Sequence, residues 1–335
     1  MYTHFKRIAS SSPTQTPPLT PTDPPLFQSF QWGDVQTIVA SEGSKFGVYF
    51  LAANHRDYAD KVNVSVVKIV ENPGDEMFSY LLGKTYGLNM PTSKLLPIEP
   101  TQTTHRVEEL SRSSNPDTVA GSKKFSASFS EIAPRYLFMM AFINGKGLDS
   151  IDNNNEKVHL FKQKEFLKML GYALPFDALI CNGDRFNILH PDEFTNFGNM
   201  VLESDGEFVA IDNGINALGA LADYQDVPLS HYRDILREIV SAVASGDQAF
   251  IDRLADSIAC SISSECPKLK LEKTEKAYIA SGIVAGILRL REMSEESVRA
   301  IFDSIPADSA KTETSLAIVL DSLQVLTSAF GNEGL

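Results

Sequence analysis

The feature that most constrains this chain is a polar stretch at residues 180–214, which reads ICNGDRFNILHPDEFTNFGNMVLESDGEFVAIDNG. Asn199 and Asp212 lie thirteen residues apart within it, and an Asp-Gly turn separates two short apolar segments between them. The apolar alternation before Asp212 predicts a strand that ends at this aspartate. Two strands joined by a tight turn place their outer ends side by side, so the amide and the carboxylate can bind one metal ion.

Asp184 and Arg185 precede this hairpin, where a predicted buried helix gives way to a loop. Taken alone, they are a common loop ion pair, and Asn199 taken alone is a common turn residue. Together with Asp212 they match what phosphoryl transfer from ATP requires. That reaction uses one aspartate to orient the attacking hydroxyl, and an asparagine and a second aspartate to hold Mg²⁺ at the triphosphate.

Lys68 lies in the middle of an apolar strand pattern, VVKIV. A lysine there is often only a solvent-facing strand residue. The alternative is an ammonium that binds the α- and β-phosphates of ATP, and that role needs a carboxylate on the following helix. Glu76 is well placed near the start of that helix, with Glu71 and Asp75 as alternatives, so the pair favours the functional interpretation.

A turn between two predicted strands reads SEGSKFG at residues 41–47. Most glycine-containing hairpins are only hairpins, and this one matches no GxGxxG or Walker A pattern. Next to the Lys68 strand, however, it is a candidate phosphate-binding turn. The amides of Gly43, Ser44 and Gly47 would contact the phosphates, and the glycines would allow close approach.

Composition restricts the partners and the setting. The formal net charge of −13 argues against nucleic acid and anionic membranes, because surfaces that bind them are basic. The three cysteines lack CxxC spacing, which is typical of reduced thiols and argues against a zinc site. The first residues lack the apolar core of a signal peptide, and no run is long enough to span a membrane. We expect a cytoplasmic monomer.

Three regions differ in pattern. Residues 1–28 form a Pro/Ser/Thr-rich arm that cannot bury enough apolar surface to offset the entropy of ordering. Residues 29–145 carry the strand patterns, and within them the polar segment 101–130 is expected to be a long loop or insertion. Residues 146–335 carry mainly helical patterns. Strands are predicted at 35–40, 47–52, 64–70 and 135–143, and helices at 75–86, 161–181, 231–245, 247–264, 274–291, 294–304 and 315–330, with Gly87 as a C-cap and Thr274 and Ser294 as N-caps.

The quoted residues resemble the protein-kinase-like superfamily. The motifs Val-Val-Lys68, Gly-Asp184-Arg185, Asn199-Met-Val and Ile-Asp212-Asn-Gly, together with Glu76, are closer to its phosphoinositide-kinase-like branch than to ordinary protein kinases. Gly-Asp-Arg replaces His-Arg-Asp, and no Ala-Pro-Glu motif follows. From the Pro-rich arm through FQWGDVQTIVASEGSKFGVYFL to the helical end, the chain resembles the family of actin-fragmin kinase catalytic domains. The resemblance implies an α+β, bilobal protein-kinase-like fold, with a small β-rich N-lobe, a mainly helical C-lobe and ATP between them.

The same resemblance implies that Asp184 would orient the attacking hydroxyl, while Asn199 and Asp212 would hold Mg²⁺. It implies for Lys68 and Glu76 the roles given above. It further implies that backbone groups near Met140 and Phe142 bind the adenine. The chain departs from the family because Asp184 and Asn199 are further apart than is usual in either branch. Residues 188–198 would then be an insertion, and Asn187 is a competing metal ligand, although the hairpin spacing favours Asn199.

The activity that the resemblance implies is transfer of the γ-phosphoryl group to a threonine (Ser/Thr) hydroxyl of actin, in a complex with fragmin, a gelsolin-like capping protein. A phosphoinositide kinase would need a basic loop after Asp212, and residues 215–230 contain no Lys or Arg. A small-molecule kinase would favour acidic loops, and Asp223 and Asp226 keep that alternative open. A non-catalytic ATP-binding module would usually lack Lys68, Asp184 or Asp212.

Overall fold

The computed structural model describes residues 30–41, 47–54, 62–147, 151, 154–186, 196–203, 208–215, 229–266 and 269–330. The chain forms two compact units. The first contains Met1–Met77, Pro91–Phe142 and Asp308–Ala310, and the second contains Phe78–Met90, Ile143–Ala307 and Lys311–Leu335. The short segments Phe78–Met90 and Asp308–Ala310 thus belong to a different unit from the residues that flank them in sequence.

A five-stranded antiparallel sheet forms the centre of the first unit, in the order β1-β2-β3-β5-β4. A 3₁₀ turn at Trp32–Asp34 leads into it. The segments are rich in β-branched and aromatic residues, which suit a pleated and partly buried surface, and the four predicted strands are confirmed. The strands are β1 (Val35–Ala40), β2 (Gly47–Asn54), β3 (Val62–Ile69), β4 (Ser93–Pro97) and β5 (Tyr136–Ala141).

Strand β3 has two unlike faces. Val67 and Ile69 are fully buried in the hydrophobic core of the unit. Lys68 lies between them in sequence, so strand alternation directs it to the opposite face of the sheet. The register places Lys68 opposite Val48 of β2 and Phe138 of β5. The lysine therefore lies on a central strand, with a neighbouring strand on either side.

Helix α1 (Pro73–Tyr86) follows β3 and begins in the first unit. Pro73 occupies the first turn, where a missing amide costs nothing, and Glu76 lies where the positive end of the helix dipole favours a carboxylate. Gly87 has φ +104°, and its N–H donates to the carbonyl of Gly83 at 3.0 Å. The predicted glycine C-cap is confirmed.

The expectation of a long loop at residues 101–130 is wrong. Two helices lie there, α2 (Pro100–Leu110) and α3 (Pro116–Ile132). Their apolar residues enter the same core as Val67, and they pack against β1 and other strands of the sheet. The segment is therefore a helical layer on the face of the sheet opposite Lys68.

The start of α3 shows which signal the Ser/Thr-rich composition obscured. The side chain of Asn115 accepts hydrogen bonds from the N–H groups of Asp117 and Thr118, at 2.9 and 3.2 Å. Pro116 takes the first helical position. An Asn-Pro pair before apolar residues at helical spacing predicts a helix start.

The second unit is mainly helical, which confirms the α+β prediction. None of the described helices is both long and apolar enough to cross a bilayer. The helix at Lys164–Leu179 is almost entirely buried in its second half and packs along the helix at Lys273–Arg291, so it is the central helix of the unit. The helices are α4 (Asn154–Phe161), α5 (Lys164–Leu179), α6 (Leu229–Ser245), α7 (Gln248–Glu265), α8 (Lys273–Arg291), α9 (Glu295–Ser304) and α10 (Glu313–Phe330).

Two predicted N-caps have different outcomes. The side chain of Ser294 accepts a hydrogen bond from the N–H of Ser297 at 3.1 Å, so the cap of α9 is confirmed. Thr274 is not the cap of α8. The N-cap is Glu272, two residues earlier. The side chain of Glu275 accepts a hydrogen bond from the Glu272 N–H at 2.9 Å, as in a capping box.

A small antiparallel sheet in the second unit carries the predicted hairpin. It consists of β6 (Gly145–Gly147), β7 (Met200–Glu203) and β8 (Phe208–Ala210), in that order. The register pairs Met200 with Ala210. The hairpin therefore places the residues before β7 next to those after β8, as the sequence predicts.

Candidate active site

Lys68 and Glu76 form an ion pair within the first unit. The Nζ of Lys68 donates to Oε2 of Glu76 at 3.2 Å. The lysine side chain is 8% exposed and the glutamate side chain 19%. A buried ammonium without a partner costs several kcal/mol, so the carboxylate compensates for its lost hydration. Of the three carboxylates considered from the sequence, Glu76 makes this contact, and Glu71 is exposed.

Apolar side chains share the face of the sheet that carries Lys68. Strand alternation places Phe50 of β2 and both Phe138 and Met140 of β5 on this face. The rings of Phe50 and Phe142 are in edge-to-face contact, with centroids 6.1 Å apart. A cation beside an apolar, aromatic surface suits a nucleotide, whose phosphates are charged and whose base has flat ring faces that pack on apolar side chains.

The backbone of Met140 belongs to the sheet. The N–H of Ala141 donates to the carbonyl of Thr92 at 2.8 Å, so the alternate residue Met140 directs its N–H and carbonyl toward Val66 of β3. The adenine contact predicted for backbone groups near Met140 stays a prediction. Phe142 follows the end of β5, and its contact with the base stays a prediction.

The predicted phosphate-binding turn is described at its ends. Gly43 and Ser44 lie outside the described residues. Gly47 opens β2 and pairs with Ile69, the residue after Lys68. The N–H of Ser41 donates to the carbonyl of Val48 at 2.8 Å, as in a hairpin. The phosphate contacts of this turn stay predictions.

The carboxylate of Asp184 accepts hydrogen bonds from two side-chain amides. The Nδ2 of Asn199 donates to Oδ2 of Asp184 at 2.8 Å, and the Nδ2 of Asn196 donates to Oδ1 at 3.4 Å. Asp184 is half-buried, whereas Asn199 is buried. The two amides fix the orientation of the carboxylate, as a group that must align a hydroxyl requires.

Asp212 lies directly beyond the hairpin. The N–H of Ile211 donates to the carbonyl of Asn199 at 3.1 Å, so the main chain next to Asp212 is bonded to the predicted partner residue. Asp212 is exposed and has φ +56°. This left-handed conformation is uncommon outside glycine and concentrates at functional sites.

Residues 187–195 lie outside the described residues, and Asn187 is among them. The residues on either side are close together, because the N–H of Asn196 donates to the carbonyl of Arg185 at 3.0 Å. A 3₁₀ turn at Phe197–Asn199 follows, and the Asn196 side chain caps it by accepting from the Gly198 N–H. This closure fits the predicted insertion.

Arg185 pairs with Asp177 of α5 and not with its neighbour Asp184. Both side chains of the pair are fully buried, and Nη1 donates to Oδ1 of Asp177 at 2.8 Å. Nη2 donates to the carbonyl of Ile211 at 3.0 Å and also to Oδ1 of Asn213. The loop ion pair that the sequence allowed is thus replaced by a buried one.

Asn182 joins the same group of residues. Its Nδ2 donates to Oδ1 of Asp177 at 3.3 Å, and its Oδ1 accepts from the N–H of Asp184 at 3.1 Å. We call Asp177, Asn182, Arg185 and Asn213 the aspartate–arginine network. It is bonded to the N–H of Asp184 and to the carbonyl of Ile211, the residue before Asp212.

Burial raises the pKa of the Asp177 carboxyl to about 7, although the Arg185 guanidinium and the Asn182 amide lower it. Oδ2 of Asp177 has no hydrogen-bond partner among the described residues. Donors therefore reach only one oxygen, and they offset part of the hydration that the carboxylate loses.

Sequence reasoning missed Asn196 and the aspartate–arginine network as parts of the site. Asp177 stands among apolar residues in LPFDALI, and a lone carboxylate in a buried helix pattern needs a cationic partner. That signal indicates a cationic partner, although it does not identify which residue supplies it. Asn196 lies in a polar loop segment where nothing in the spacing distinguishes it.

The predicted magnesium ligands fit the ion chemically. Mg²⁺ prefers oxygen donors and is usually held by one or two carboxylates together with water and substrate phosphates. Asn199 and Asp212 would supply an amide and a carboxylate oxygen of this kind. In the part of the chain that the structure describes, no three His, Cys, Asp or Glu residues are grouped to hold a metal ion.

Residues 22–287 match the protein family described as actin-fragmin kinase, catalytic. The match covers well over half of the chain. This chain belongs to that family. The membership and the observed elements confirm the predicted protein-kinase-like fold, and they make the domain a kinase-like catalytic domain.

Among solved structures, a MAP kinase from Leishmania major is similar to this chain. The two are 11% identical, the similarity covers 92% of this chain and 96% of that one, and the TM-score is 0.25. No curated protein sequence matches this chain.

Proposed function

We propose that this domain is an ATP-dependent protein kinase that transfers the γ-phosphoryl group to a serine or threonine hydroxyl. Its substrate is a threonine of actin in a complex with fragmin. The family match supports the reaction class and names both proteins. The net charge of −13 supports a domain that binds neither nucleic acid nor anionic membranes. We place it in the cytoplasm as a monomer.

The observation that carries the proposal is the hydrogen bond between Asn199 and Asp184, 2.8 Å long and fifteen residues apart in sequence. Each residue has a separate predicted role, one toward the metal and the other toward the hydroxyl. The carbonyl of Asn199 also accepts from the residue before Asp212. One amide residue thus connects both predicted carboxylates of the reaction.

The residues of the chain would do distinct work. Asp184, oriented by Asn196 and Asn199, would accept a hydrogen bond from the substrate hydroxyl and align it with the γ-phosphorus. Lys68, held by Glu76, would bind the α- and β-phosphates as a point charge. Bound Mg²⁺ would neutralise the charge of the phosphate oxygens.

The test is transfer from γ-labelled ATP to three acceptors in parallel: actin, the actin–fragmin complex and phosphoinositide vesicles. We expect label on threonine of actin, at a higher rate in the complex than in actin alone. Transfer only to the vesicles would show a lipid kinase. The absence of both transfer and ATP binding would show a non-catalytic domain, so either result contradicts the proposal.

A further inference from the structure

Arg185 connects two predicted site segments that are far apart in sequence. It is the residue after Asp184, and its Nη2 bonds to residues on both sides of Asp212, namely the carbonyl of Ile211 at 3.0 Å and Oδ1 of Asn213. Asp212 itself has the left-handed φ of +56°. That conformation costs about 1–3 kcal/mol and persists only where neighbouring contacts impose it.

Asp177 anchors the arginine from the other side. The carboxylate sits on the central helix α5, and both members of the pair are fully buried. Its Oδ1 also accepts from Asn182, which in turn accepts from the N–H of Asp184. The carboxylate of Asp177 thus reaches Asp184 by one chain of hydrogen bonds and the flanks of Asp212 by another.

We propose that Arg185, anchored by Asp177, is a positioning residue that holds Asp212 in its left-handed conformation and sets its place relative to Asp184. The inference rests on the proposed function, in which Asp212 is a magnesium ligand. Neighbours that orient ligands typically change metal affinity about 10–100-fold when they are lost. The competing explanation is that the buried pair only stabilises the fold.

Two variants separate these explanations. Arg185→Lys keeps a cation that can pair with Asp177, but an ammonium cannot reproduce the planar fork that reaches both flanks of Asp212. Asn213→Ala removes one of the flanking bonds, leaves the ion pair intact and serves if the first variant does not fold. The matched control is Arg233→Lys, because Arg233 pairs with Asp321 at 2.7 Å in the same unit and bonds to no residue of the aspartate–arginine network.

The first measurement is the Mg²⁺ concentration that half-saturates ATP binding and turnover. The measurement is made well below the unfolding transition of each variant, where circular dichroism shows nearly all of the sample to be folded, because an unfolded fraction in equilibrium would itself raise this concentration. The second is hydrogen–deuterium exchange of residues 208–215 in the nucleotide-free protein. We expect Arg185→Lys to raise the half-saturating concentration about ten-fold or more, Asn213→Ala to raise it less, and both to speed exchange at 211–213.

An unchanged Mg²⁺ requirement in Arg185→Lys, together with a lower Tm, would overturn the positioning role. Arg233→Lys should change neither measurement. If the wild type binds ATP with Mg²⁺ but transfers phosphate to no acceptor, the proposed function fails, while the binding measurement still decides the role of Arg185. If the wild type binds no ATP, the proposed function fails and the role in magnesium binding fails with it.

Discussion

Each unit of the chain contains a buried ion pair, and the two pairs are built differently. In the first unit Lys68 donates a hydrogen bond to Glu76, and the glutamate keeps 19% of its side-chain surface exposed. In the second unit Asp177 and Arg185 are both fully enclosed, and the guanidinium makes further bonds to the chain around Asp212.

The difference agrees with the role predicted for each charge. A cation that binds phosphates has to remain reachable, so its partner can make only part of its contacts. A cation that positions main chain can be completely enclosed, provided that its donors are used inside the protein. We therefore expect phosphate binding to depend most on the first pair, and stability and the geometry of the predicted magnesium site to depend most on the second.

The largest effect is expected at Asp184, which is bonded to the aspartate–arginine network through Asn182 and is predicted to contact the substrate. Asp184→Asn should lower kcat by about 10²–10⁴-fold, since an amide cannot take the proton or align the hydroxyl as a carboxylate does. The Kd for ATP should change little, as measured by titration. Asp234→Asn is the control, because Asp234 pairs with Arg237 on the exposed side of α6. Near-normal turnover in Asp184→Asn would refute this assignment.

Removing the cation from each pair tests the comparison directly. Arg185→Met should lower the free energy of unfolding by about 3–5 kcal/mol, because it leaves a fully buried carboxylate without its counter-ion. Lys68→Met should cost less, about 1–3 kcal/mol, because the Glu76 side chain is 19% exposed and keeps part of its hydration, but should weaken ATP binding about ten-fold or more. Urea unfolding and ATP titration measure these effects. Equal destabilisation by both changes would show that the two pairs do the same work.

The sequence predicts the first pair and not the second, for a physical reason. Lys68 and Glu76 lie on consecutive elements, so strand and helix periodicity alone place them near each other. Asp177 and Arg185 meet only because the chain turns after α5, where Cys181 has a positive φ of 53°. Asn213, which follows the β7–β8 hairpin, bonds to Arg185 from a distant part of the sequence. Such contacts depend on tertiary packing that no local pattern encodes. The hairpin itself was predictable, since its apolar alternation fixes both register and ends.

The first pair also depends on the opposite face of its sheet. Helix α3 approaches β1 so closely that a Cβ on Gly121 would lie 2.2 Å from the carbonyl oxygen of Ile38. Gly121→Ala should therefore destabilise the protein by about 1–3 kcal/mol, although alanine favours a helix by about 1 kcal/mol. Gly33→Ala is the control, because no atom lies within 4 Å of its added Cβ. Thermal unfolding measures both, and a more stable Gly121→Ala would contradict the packing of α3 on the sheet.

The last test concerns the dependence of stability on pH, and it arises from the second pair. The ordinary pKa of an aspartate is 3.8, while burial raises that of Asp177 to about 7. Between these values the folded protein holds a proton that the unfolded chain has released. The stability from this group is therefore fully present below about pH 4 and is lost as the pH rises to about 7, by about 1 kcal/mol per pH unit.

The Asp177→Asn variant has no carboxyl to titrate at this position. From about pH 5 to pH 7 the unfolding free energy of the wild type should therefore fall relative to that of the variant, and above pH 7 the difference should stay constant. Urea unfolding at each pH measures it. A difference that stays constant over this range would show that Arg185 keeps its partner ionised throughout. In that case Asp177 and Arg185 would be held together by the attraction between two charges, and not by a hydrogen bond to a protonated carboxyl. The second pair would then be an ion pair like the first, and would differ from it only in being fully buried.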